Sequence, residues 1–92
     1  MSELLALPSK LTHRQARDTL GPLLQRLRAQ NDAQLVVDAS ALQVFDSSAL
    51  AVLLECRRQA LAEHKTFAVR GLPGALAGLA ALYGVAELLP AA

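Results

Sequence analysis

"QLVVDASALQVFDSSALAVLLE", residues 34 to 55, changes its hydrophobic period partway along, and that change decides the fold. Leu35, Val36 and Val37 form a short aliphatic run bounded by Gln34 and Asp38, which reads as a strand. From Ser47 onward the apolar positions recur at helical spacing, so a helix is predicted from about Ser47 to Ala62. Working outward, "KTFAVRG" (65 to 71) repeats the strand pattern, and "ELLAL" (3 to 7), ended by Pro8, is a weaker third strand. Helical segments separate them, giving the order strand, helix, strand, helix, strand, helix. That alternation predicts an α/β domain in which a right-handed crossover joins the strands at 34–38 and 65–71 in parallel.

The three helices differ in how they spend their apolar positions. The first starts at Thr12, where Gln15, three residues on, matches a capping box, and Ala16, Leu20, Leu23, Leu24 and Leu27 form one stripe. Pro22 lacks an amide donor, so a kink or restart is expected near Gly21. Arg14, Arg17 and Arg28 fall along one flank, either a contact for an acidic partner or a solvated face. In the second helix Ala49, Leu50, Val52, Leu53, Leu54, Cys56 and Ala60 cover about 200° of the wheel, roughly twice what one sheet face requires. The expected surplus lies near the helix start, where the neighbouring helix or a partner covers it. In the third, Leu76, Leu79, Ala80 and Tyr83 have core spacing, Gly84 is placed for a left-handed cap, and Val85, Leu88 and Leu89 complete the core.

Composition removes several function classes. A chain of 92 residues is the size of one domain, and 53% hydrophobic residues is too many for a disordered chain. No stretch reaches the roughly 18 apolar residues of a membrane span, and "MSELLALPSK" is too short and too acidic for a signal peptide, so a soluble, unexported protein is expected. A net charge of +1, with Phe45, Phe67 and Tyr83 the only aromatics, leaves no footprint for nucleic acid. Cys56 is alone, excluding an internal disulfide, and reads as a small apolar helix residue. No metal-ligand set and no phosphate-cradling glycine loop is present, so no metal or cofactor is expected.

Asp46, Ser47 and Ser48 stand at the junction of loop and helix. A carboxylate or hydroxyl there accepts from unpaired first-turn amides, and the same place stabilises a phosphate. Capping explains one of the three residues, and a docking or modification site is the alternative use for the others. Catalysis finds no support: the only histidines, His13 and His64, sit at the ends of different helices and read as solvent-facing, and no nucleophile turn surrounds Ser47. The chain reads as a binding module, not an enzyme.

"VVDASALQVFDSSALAVLLE" (36 to 55) resembles the core strand, loop and helix of STAS domains, the family of anti-anti-sigma factors and transporter-associated modules. The resemblance implies a single domain over 1–92 with a small mixed sheet of three or four strands backed by helices. It also implies that the first hydroxyl after the loop aspartate, Ser47 here, lies at a partner-binding surface. "FAVRGLPGALAGLAALYGVAELLP" (67 to 90) is similar to the MlaB-type branch, whose members sit in the cytoplasm on the ATPase of a phospholipid-transport ABC complex at the inner membrane. By that resemblance the partner is the ABC ATPase, met through Asp46, Ser47, Ser48, Ala49, Leu50, Arg17 and Arg28. The alternative is an anti-anti-sigma factor whose Ser47 is phosphorylated by an anti-sigma kinase. Two departures from the family pattern bear on this choice. Ala49 stands where glycine is usual, and Thr12, within "SKLTHRQ" (9 to 15), occupies the place of an acidic residue associated with the kinase-linked surface. The family's first strand is shortened or missing.

Overall fold

A computed structural model describes residues 5–92. In chain order the elements are β1 (Leu5–Ala6), β2 (Lys10–Leu11), α1 (Ala16–Ala29), β3 (Gln34–Asp38), β4 (Val44–Phe45), α2 (Ser48–Ala62), β5 (Thr66–Arg70) and α3 (Gly74–Leu82), followed by a 3₁₀ turn, Ala86–Leu88. β3 is the centre of a three-stranded sheet, flanked by β1 and β5, while β2 and β4 form a separate two-stranded ladder. The expected α/β class holds, and every strand pairing among the described residues is parallel. Of the strand expected at 3–7, Leu5 and Ala6 form β1, while residues 3 and 4 lie outside the described part.

The strands follow from their side chains. Along β3, Leu35 and Val37 are fully buried and alternate with exposed Gln34 and half-buried Val36 and Asp38, as in a strand with one face on the core. Phe67, Ala68 and Val69 of β5 are all buried, which is the pattern of a strand covered on both faces. Beyond Arg70 the chain turns through Gly71, whose φ of +67° is one that only glycine adopts without strain. The turn also brings Gly71 so near the β3 exit that a Cβ on it would fall 2.7 Å from the Ser40 Cβ and 3.0 Å from the Ser40 Cα. On the outer side of β5, the Val69 amide donates to the Pro90 carbonyl at 2.8 Å and Ala92 donates back to Val69 at 2.9 Å.

α2 packs on both α1 and β5, and this accounts for its wide apolar arc. Ala49, Leu50, Val52, Leu53, Cys56 and Ala60 are all buried, so the surplus apolar surface expected near the helix start is in fact covered. Of the kink or restart expected near Gly21, the restart does not occur: α1 continues through Pro22 as one helix. Its N-terminal turn does use the capping pair: the Gln15 Oε1 accepts from the Thr12 amide at 3.0 Å and from the Thr12 hydroxyl at 2.7 Å, although regular helix begins only at Ala16. α3 closes in a Schellman motif, as Gly84 at φ +72° lets Val85 donate to Ala80 and Gly84 to Ala81. Tyr83, expected in the core, is 56% exposed because this cap turns it outward, whereas Leu76 and Ala80 are buried and Leu79 packs half-buried against the core, as expected. α2 ends the same way with His64 at φ 60° in place of glycine.

Candidate functional site

The short β2–β4 ladder sets the site. By pairing Lys10 with Val44 and Leu11 with Phe45, it delivers the turn before α1 beside the start of α2. Asp46 then fastens the two together. Its Oδ1 accepts from the Ser48 amide at 2.8 Å, capping α2, and its Oδ2 accepts from the His13 amide at 3.1 Å with the His13 Nδ1 at 3.3 Å. The backbone bonds from His13, and then from Ser48, favour the carboxylate form and pull the Asp46 carboxyl from its ordinary 3.8 to about 2. His13, read from sequence as solvent-facing and idle, is exposed but is half of this clasp.

A pH dependence follows from the direction of that shift. Asp46 binds its proton less readily in the fold than in the unfolded chain, so its share of stability is complete above about pH 4 and is lost as the pH falls through about 2. Thermal melts between pH 5 and 2 should show the wild-type protein losing stability more steeply than Asp46→Asn, which starts lower because it has already lost the charged acceptor. Parallel curves for the two would show that Asp46 is not held by these bonds.

With Asp46 as the cap, Ser47 is released from that duty. It stands at the N-cap position of α2, makes no side-chain capping bond and is exposed. Ser48 is half-buried. Ala49 and Leu50, both named from sequence as contact residues, are 0% and 3% exposed and pack into the core, so they support the surface from beneath and do not form it. The extra methyl group of Ala49 points inward as well. Arg17 and Arg28 are both exposed, yet they lie eleven residues apart on α1, roughly 16 Å along the axis. Arg28 is near Glu63 at the far end of α2, whose carboxyl is lowered first by the Gln59 hydrogen bond, then by Lys65, and least by the Arg28 charge. The arginine flank is therefore divided, with the exposed Arg14 and Arg17 toward the helix starts and Arg28 at the other end of α1.

Arg17 instead borders a feature that sequence reading missed. Between α1 and α2 runs an open groove of about 390 Å³, lined by Ala16, Leu20, Gly21 and Leu24 on one side and Ala51 and Val52 on the other, with Arg17 and Glu55 among its edges. Ala51 lies four residues after Ser47, so the groove begins one helical turn from the exposed hydroxyl. The signal in the sequence was the set of small residues, Ala16, Gly21 and Ala51, at positions where two helices face each other. Cys56 offers no chemistry nearby: it is fully buried, and desolvation pushes its thiol up to about 12.

Among the described residues no helix is long and apolar enough to cross a membrane. Compared with known protein families, residues 2–90 match the profile described as "Mlab, STAS domain", and the chain belongs to that family of STAS domains. No curated protein matches it.

Proposed function

We propose that this STAS domain is a non-catalytic subunit that binds and regulates the ATPase of an ABC transporter for phospholipid trafficking. In this reading it acts in the cytoplasm and reaches the inner membrane only through the complex. Family membership supports the coarse class, a protein-interaction module, and the Mlab description favours the transporter branch. The observation that carries the docking surface is the division of labour at α2. Asp46 takes the cap and the clasp, leaving the Ser47 hydroxyl exposed and unused at the helix start. Ser48 and the buried Ala49 and Leu50 hold that start in place, and Arg17 adds a positive charge that steers encounter more than it adds affinity.

A second reading, the anti-anti-sigma factor, is favoured by the same hydroxyl, since a kinase needs an accessible serine. Affinity purification of the tagged protein from its native cell separates the two. Co-purification of an ABC ATPase with its permease, and Ser47 free of phosphate, is the expected result. Recovery of a serine kinase with phosphate on Ser47 would replace the transporter assignment by the partner switch.

A further inference from the structure

We infer that the groove between α1 and α2 receives a single amphipathic helix of the partner protein, its apolar ridge flanked by a carboxylate on the α1 side and a basic side chain on the α2 side. The inference rests on the docking reading above and adds the chemistry of what is docked.

Three properties of the groove lead there. Its floor is apolar, formed by Leu20, Leu24 and the buried Val52, and its charged side chains stand at the edges. Small-molecule sites of this volume carry polar groups that converge on the ligand and fix its orientation, whereas an apolar floor between charged edges is what accepts one face of a helix. The edges have opposite signs: Arg17 belongs to α1 and Glu55 to α2. Glu55 meets Arg58 at 3.7 Å, but both side chains are largely exposed and such a pair holds weakly, leaving the carboxylate open to a partner's base. The third property is shape. A second copy of this chain could match Arg17 to Glu55 across a two-fold axis, but two concave surfaces cannot fill each other, so the occupant must be convex. From Ala16 to Leu24 the α1 wall runs roughly 12 Å, which admits two turns of a helix with apolar residues at i, i+3 or i+4, and i+7.

Gly21 provides the test. A Cβ added there meets nothing within 4 Å, so Gly21→Leu projects into the groove without touching the core, and it replaces a poor helix former with a good one. The full-length protein with Gly21→Leu should melt at or above the wild-type temperature, yet bind the co-purified ATPase about tenfold or more weakly, because the groove is already filled. Gly21→Cys carrying a photoreactive maleimide then reports the occupant, since the buried Cys56 does not compete for the label. A cross-link into a helical segment of the ATPase with apolar residues at every third or fourth position is expected. Undiminished binding by Gly21→Leu, in a complex that Ser47→Asp disrupts, would overturn the groove assignment while leaving the docking reading in place. A cross-link to a second copy of this chain, or to a strand or loop, would likewise overturn it. Failure of the wild-type protein to capture any ATPase would remove both together.

Discussion

Gly71→Ala should destabilise the domain by about 2–4 kcal/mol, enough to lower Tm by roughly 10–30 °C in a domain of this size. Two costs add at this position. An alanine at φ +67° carries the left-handed penalty of about 1 kcal/mol. Its methyl group would also sit 2.7 Å from the Ser40 Cβ and 3.0 Å from the Ser40 Cα. The second of those neighbours is backbone, fixed by the Asp38 carboxylate that accepts from the Ser40 amide at 3.0 Å and by the Ala39 amide that donates to Arg70 at 2.8 Å, so it cannot swing aside. Gly84 isolates the first cost. Its φ is +72° but open space surrounds it, and Gly84→Ala should cost only about 1 kcal/mol, roughly 4–8 °C. Removing the Ser40 Cβ should rescue part of the difference, so Ser40→Gly combined with Gly71→Ala should be less damaging than the sum of the two single changes. Equal melting temperatures for Gly71→Ala and Gly84→Ala would show that the β3 and β5 exits are not in contact.

The largest effect on binding is expected from Ser47→Asp, which separates a cap from a contact. Ser47 is exposed and its hydroxyl caps nothing, while aspartate suits the amino end of a helix, so the fold should be nearly indifferent to the change. In a packed interface the added carboxylate becomes an unpaired, desolvated charge, worth several kcal/mol against association. Binding of the ATPase should therefore weaken about a hundredfold or more, with Tm within a few degrees of wild type, and lipid transport in the cell should fail with it. Calorimetric titration alongside a thermal melt measures both. Retained affinity would place the interface elsewhere on the domain.

The strands and helices were legible because their periods differ and their boundaries carry Pro, Gly and polar residues. Gly84 could be assigned its cap in advance since only a left-handed residue closes a helix that way. The site was legible only in part. "DSS" offers three oxygens for one helix start, and sequence cannot choose between them. The choice is made by β2 and β4, two-residue strands too short to show any alternation, which bring His13 within reach of Asp46. For the same reason His13 looked idle. Ala49 and Leu50 were misplaced because adjacency to Ser47 in the chain was read as adjacency on the surface, whereas at 100° per residue they turn under the helix and into the core. The groove lies between two segments, residues 16–24 and 51–55, that are at least 27 positions apart in the chain, and it was hidden by that separation.

Exposed sheet edges are the usual place where one chain recruits another by lending it a strand, and also where misassembly starts. At the β5 edge Val69 has both of its outward backbone groups taken, donating to Pro90 and accepting from Ala92. An incoming peptide would have to displace residues 90–92 before it could pair at Val69. The domain is thus guarded against pairing at this point of β5, and recognition is left to side chains on the helices, which can distinguish one partner from another where a backbone ladder would accept many.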